Sequence, residues 1–213
     1  MNEQIIKLQR ATSPAELAQM SIPTLAFDGT FYDAFGEPES TGIWFIWGDS
    51  GSGKTSFIAQ FVKYLTRFDK LVYNALEEGR SKANQRAWDR VNMKEVTGKI
   101  GLVQEPMEHL TVRMDKRKSA GIVVVDSAQY AKLTKAKYFA IKDKYEGKKL
   151  IIFVSHADGK DPRGSLAKDI LFDASLKIWV EGYRAFTRGR SIGPKGYYDI
   201  WPEGAAKYWG ENQ

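Results

Sequence analysis

The chain is 213 residues long, 43% hydrophobic and carries a formal net charge of +6. That length suits one domain with room for a small appendage, and the apolar share rules out wholesale disorder. With no cysteine, a disulfide scaffold, a Cys-ligated zinc finger and a thiol nucleophile are excluded, and His109 and His156 alone do not make a multi-His metal centre.

The longest apolar runs, 43–47, 121–125 and 150–154, are of strand length, far short of the ~20 residues that cross a bilayer. The opening MNEQIIKLQR has no apolar signal-peptide core. These features predict a cytoplasmic protein with no membrane partner.

In chain order, residues 1–20 read as a helical extension before a core domain at 21–213. Ser13-Pro14 is a helix start, with Ser13 as the cap and Pro14 at the first helical position. From Ile43 onward, apolar runs at 43–47, 71–75, 100–104, 121–125, 150–154 and 176–180 alternate with helix-like stretches at 54–68, 80–92, 107–118 and 134–146. Strands that are apolar throughout, separated by helices, predict an α/β fold with a mostly parallel central sheet flanked by helices. The tail from Tyr183 to Trp201 reads as a hairpin, with Gly193-Pro194 near its turn, and adds antiparallel C-terminal edge strands.

The positive balance favours a polyanionic partner. Between Tyr130 and Lys149 lie seven lysines, which read equally as a solvated helix face or as a nucleic-acid contact.

Gly48-Asp49-Ser50-Gly51-Ser52-Gly53-Lys54-Thr55 fits the phosphate-loop pattern Gly-x-x-x-x-Gly-Lys-Ser/Thr. It follows the strand-like IWFIW and, with Ser56, opens a helix, as the motif requires. Glycines let the backbone N–H groups curl around phosphates, and the following helix presents its positive end to the same anion. Lys54 would meet the β- and γ-phosphates of ATP, and the Thr55 hydroxyl would ligate Mg²⁺. The run GIVVVD ends on Asp126, at the carboxyl end of a strand, where a carboxylate can hold the same ion. Another strand, LVYNALEE, ends in Glu77 and Glu78, either able to polarise an attacking water.

On these residues the chain resembles the RecA-like P-loop ATPases, over about 22–201. The likeness is greatest to the RadA branch, the DnaB-type helicases and the small phage Rad-type recombination and annealing ATPases. Ile22-Pro23-Thr24 with Phe27-Asp28 resembles the lead-in to the first core helix. Glu77 matches the catalytic glutamate better than Glu78, and Asp126-Ser127-Ala128-Gln129 resembles the Asp-Ser-x-Gln of RadA. His156, closing FVSH, matches the residue that senses the γ-phosphate, although a histidine that merely caps a strand is the alternative. Arg188 and Arg190 resemble the Lys-x-Arg segment that reaches a neighbouring subunit's ATP, with Arg in place of Lys. Alternate spacing on a strand would put both on one face; plain hairpin surface charges are the other reading.

The polar segment 157–168 is expected to be a mobile loop, and the resemblance implies that Lys160, Arg163 and Lys168 touch DNA there, against the opposing Asp158 and Asp161. The resemblance further implies an Mg²⁺-dependent ATPase that acts on single-stranded DNA in recombination, repair or replication. Its shared sites imply a homo-oligomeric ring or filament. The rival readings are a nucleotide-gated annealing protein with incidental turnover and a regulatory ATPase of the clock-protein type with no DNA role.

Overall fold

The computed structural model describes residues 10–210. In chain order these form α1 (Pro14–Gln19), α2 (Gly29–Phe35), β1 (Gly42–Gly48), α3 (Lys54–Leu65), β2 (Leu71–Ala75), α4 (Lys82–Arg90), β3 (Ile100–Val103), α5 (Met107–Met114), β4 (Ile122–Asp126), α6 (Lys135–Tyr145), β5 (Leu150–Asp158), β6 (Asp161–Pro162), α7 (Ser165–Asp173), β7 (Leu176–Glu181), β8 (Arg184–Thr187), β9 (Tyr197–Asp199) and α8 (Pro202–Trp209). The sheet runs β3-β2-β4-β5-β1-β7-β8-β9, with β6 folded back on β5. The strands from β3 to β7 along this path pair in parallel; β8 and β9 are antiparallel. The expected α/β architecture with antiparallel C-terminal edge strands is therefore the observed one.

Strand periodicity builds two cores. Along β1, Trp44 and Ile46 face one side with Phe57, Phe61 and Leu65 of α3. Ile43, Phe45 and Trp47 face the other, where α5, α6 and α7 contribute Leu110, Tyr138 and Ile170. Because both faces are covered, the central strands carry no polar alternation. The first core is markedly aromatic; Phe31 of α2 stacks on Tyr198 of β9 with ring centroids 4.6 Å apart. This contact ties the first core helix to the last strand.

The cap foreseen at Ser13 is present. Its hydroxyl accepts from Glu16 N–H at 3.2 Å, and the Glu16 carboxylate accepts from Ser13 N–H at 2.8 Å. Helix α1 buries none of its residues, and the remainder of the predicted extension, 1–9, lies outside the described residues.

Two elements differ from expectation. The helix read at 107–118 stops at Met114, and a hydrogen-bonded turn comes next, in which Asp115 N–H meets Thr111 O and Ser119 N–H meets Lys116 O. Segment 157–168 is not the mobile loop expected: β5 continues to Asp158, turns through Gly159-Lys160 into β6, and α7 starts at Ser165. Gly159, at φ +63° in the first position of this two-residue turn, is hairpin-turn chemistry, and the Trp47 indole N–H fixes the turn by donating to Lys160 O at 3.0 Å. Among the described residues no helix is long and apolar enough to cross a membrane.

Candidate active site

Strand β1 delivers the chain to the carboxyl edge of the sheet at Gly48. A Cβ there would lie 2.4 Å from Val180 O, so only glycine lets β1 and β7 close at this point. The loop then curls back into α3 through Gly53, whose φ of +99° is open to glycine and strained for other residues. Ser52 turns inward, its hydroxyl donating to Asp49 O at 2.8 Å. Gly48 and Ser52 thus shape the loop, while Asp49, Ser50, Gly51, Gly53, Lys54, Thr55 and Ser56 line a cleft of about 350 Å³.

The opposite wall comes from the ends of β2, β4 and β5, which register places side by side: Ala75 pairs with Asp126, and Asp126 with Val154. Glu77, Glu78, Asp126 and His156 all reach the cleft. Both hydrogen bonds of the Glu77 side chain end on Oε2. The Ser127 hydroxyl donates at 2.9 Å, and His156 Nε2 lies 2.8 Å away. An ionised carboxylate only accepts, so Nε2 carries the proton in this contact.

Asp126 accepts from the Tyr73 hydroxyl. Burial pushes its carboxyl above the usual range; the Tyr73 hydroxyl and Lys54 pull it back, and Glu77 pushes it up again. Burial also raises Glu78, with the charges of Asp126 and Glu77 adding to it. Tyr73 itself is pushed far above the ordinary phenol range, by burial first and then by Asp126.

Glu77, Glu78 and Asp126 therefore face one ammonium, Lys54, within a single cleft whose loop side also carries Asp49. That donor set, together with the Thr55 hydroxyl, fits a divalent cation accompanied by a polyphosphate.

Tyr183 also lines the cleft and was not foreseen from the sequence. It sits in the β7–β8 turn at φ +61°, a region a bulky side chain rarely takes. Its N–H donates to Ser52 O at 3.0 Å, and its ring meets Trp201 edge-on at 5.1 Å between centroids. The only local signal was Gly182 before it; the proximity to the loop arises from the pairing of β7 with β1.

Behind His156 the wiring is dense. Gln129 Nε2 donates to Ser155 Oγ at 2.8 Å and to Arg163 O at 2.7 Å, while Arg163 N–H donates to His156 O at 2.9 Å. Lys160, Arg163 and Lys168 are exposed and make no ion pair among the described residues.

The expectation that Arg188 and Arg190 form a two-pronged face of one strand does not hold. Strand β8 ends at Thr187, so the alternation of a strand no longer applies. Arg188 lies over the Trp179 ring at 4.8 Å, and Arg190 borders a cavity beside Gly42 and Ile43, at the amino-terminal end of β1. Neither lines the cleft of its own chain.

The lysine run resolves toward the solvated face. Lys135 pairs with Asp169, Lys137 with Glu108, Lys142 with Asp173 and Lys144 with Asp115, at 2.7–3.0 Å. Lys149 donates to Ser119 Oγ and Ala120 O. Acidic partners on α5 and α7 and at the end of α5 thus take up most of the charge that the sequence left open as a nucleic-acid contact.

No protein-family model and no curated protein matches the sequence. Solved structures do. A KaiC-like protein, PH0186, from the hyperthermophilic archaeon Pyrococcus horikoshii aligns over 79% of this chain and 94% of its own, at 20% identity and a TM-score of 0.53. The flagellar accessory protein FlaH from Methanocaldococcus jannaschii aligns over 84% of this chain and 92% of its own, at 15% identity and a TM-score of 0.58. At such identities the likeness carries the fold alone: a mostly parallel central sheet flanked by helices, with antiparallel edge strands.

Proposed function

We propose that this chain binds ATP with Mg²⁺ in the cleft at the carboxyl edge of the sheet and hydrolyses the γ-phosphate. The observation that carries the reading is the Glu77 carboxylate, held from two sides and facing a phosphate-loop curl across one cleft. With Oε2 occupied by Ser127 and His156, Oε1 is the atom left to receive a proton from an attacking water. The loop amides and Lys54 counter the charge of the transferred group. When bound, a magnesium ion held by Thr55 and Asp126 supplies further positive charge against the phosphate oxygens. Tyr183, which also lines the cleft, would offer its ring as a wall for the nucleobase.

His156 would then report the nucleotide state. A γ-phosphate oxygen competes with Glu77 for its Nε2 proton, and its carbonyl is joined directly to Arg163 in the segment that carries Lys160 and Lys168. Arg188 and Arg190, absent from their own cleft, are available to a neighbouring subunit, as in a ring or filament of the RadA or DnaB type. Single-stranded DNA in recombination, repair or replication is the setting that the exposed cations of 160–168 support.

A regulatory ATPase without a DNA role is the second reading. Pairing of the α6 lysines favours it, as does the likeness to a KaiC-like protein.

ATP turnover measured across protein concentration, with and without single-stranded DNA, tests both readings. The motor reading expects a rate per subunit that rises with concentration and rises again with DNA. A DNA-independent rate selects the regulatory reading, and no turnover under any condition overturns the ATPase.

A further inference from the structure

The far end of the sheet carries a second, oppositely charged feature. Where β2, β3 and β4 begin, a groove of about 390 Å³ runs between the β3 edge and the turn after α5, bordered by Lys70, Lys99, Lys116 and Lys118. Arg117 stands beside it. All five cations are exposed, and none forms an ion pair among the described residues. The acids nearby are largely committed. Glu105 is taken by Arg113, and Asp115 by Lys144 at 2.7 Å and the Tyr145 hydroxyl at 2.8 Å. Asp69, the residue before Lys70, accepts from Lys70 N–H at 2.5 Å and is not among the residues that line the groove.

The turn bearing Lys116, Arg117 and Lys118 is pinned by hydrogen bonds. Ser119 Oγ donates to Met114 O, Ser119 N–H to Lys116 O, and Lys149 Nζ clamps both Ser119 Oγ and Ala120 O at 2.7–2.8 Å. Clustered like charges repel one another, and a bound polyanion relieves that repulsion. Among the described residues, none of the large exposed apolar side chains lies in this groove. Hot spots of protein interfaces centre on aromatic, apolar or arginine anchors, and Arg113 in the lining is already paired with Glu105. A phosphate backbone needs only fixed cations.

We infer that this groove docks the phosphodiester backbone of a nucleic acid, without reading its bases, on the face opposite the ATP cleft. The inference rests on the nucleic-acid part of the proposed function and gives it a location other than 160–168. Strand polarity puts the groove at the amino-terminal ends of the strands and the ATP cleft at their carboxyl ends, so the two ligands do not compete for space.

The test is anisotropy of a labelled oligothymidylate of about 30 nucleotides over a salt series. It compares the unaltered chain, the pair Lys116→Gln/Lys118→Gln, and the charge-matched pair Lys135→Gln/Lys137→Gln on α6. Losing two phosphate contacts should lower the slope of log affinity against log salt by about 1.4, and affinity by roughly tenfold near ~0.1 M salt. The α6 pair should track the unaltered chain. ATP binding should be the same in all three, which also shows that each is folded. Binding of the oligonucleotide that is unchanged in the groove pair overturns the groove while leaving the nucleic-acid reading intact. No binding by the unaltered chain overturns both. Displacement of the oligonucleotide by polyglutamate at equal charge would mean an acidic protein partner and would also overturn the groove.

Discussion

The two ends of one parallel sheet behave as opposites. At the carboxyl end, Glu77, Glu78 and Asp126 crowd into a partly buried cleft around a single lysine, and burial pushes two of these carboxyls upward. At the amino end, exposed lysines surround a groove whose lining, among the described residues, holds no acid. The same strands feed both ends, so the contrast lies in the connecting segments. Those leaving the strands carry the loop and the carboxylates that act on a small charged ligand. Those entering the strands are surface turns, free to carry charge that a larger partner can meet. Buried charge suits chemistry, where small shifts in protonation matter; exposed charge suits docking, where solvent keeps it cheap.

The sharpest way to break this comparison is Glu77→Gln. The substitution keeps the shape of the side chain but removes the base, so turnover should fall by about 10²–10⁴ while ATP binding persists. Single-turnover hydrolysis alongside a fluorescent-nucleotide titration would separate the two, and an unchanged rate would remove Glu77 from the chemistry. Next in size is Lys54→Ala. Loss of a charge-assisted phosphate contact should weaken ATP binding by roughly 100-fold, with the fold intact by circular dichroism.

A smaller effect is expected from pH. Glu78 and Asp126 titrate above the ordinary carboxylate range in the folded chain, so the fold holds protons that the unfolded chain has already released. Without ligand, stability should therefore fall as pH rises from that ordinary range through the raised values. Carboxylates held low by their partners, such as Glu105 beside Arg113, act only below this window. Thermal midpoints at about pH 5 and about pH 7.5 should show the trend, Glu78→Gln should flatten it, and Mg²⁺ with ATP should stabilise more at the higher pH. A trend of the opposite sign would contradict the crowding of acids in the cleft. Smallest of all is Glu108→Gln, which frees Lys137 on the exposed face of α6. Urea denaturation should register a change within about 1 kcal/mol. A larger loss would mean that these surface pairs hold the fold together.

Much was legible in the sequence because it is local. The phosphate loop announced itself by glycine spacing between an apolar strand and a helix. Asp126 and Glu77 were readable because a carboxylate closing an apolar run sits at a strand end in any parallel sheet. Helix α7 was missed because its first turn, through Lys168, was read together with the polar segment before it; its apolar side is Leu166, Ala167, Ile170 and Leu171. Helix α8 lies beyond the expected tail, which ended at Trp201, and was not foreseen; its buried residues are only Gly204 and Ala205.

By itself the chain determined its alternation of strands and helices, the curl after Gly48 and the acids at the strand ends, since each arises from neighbours in sequence and the steric rules of the backbone. Tertiary structure alone decided which charges are spent and which remain. It brought Asp169 and Asp173 to the lysines of α6, carried Arg188 and Arg190 away from their own cleft, set Tyr183 against the loop, and left Lys116 to Lys118 without ion pairs among the described residues at the opposite end. Charge pairing acts across elements that lie next to each other in space, and which elements those are depends on sheet order rather than on any local pattern.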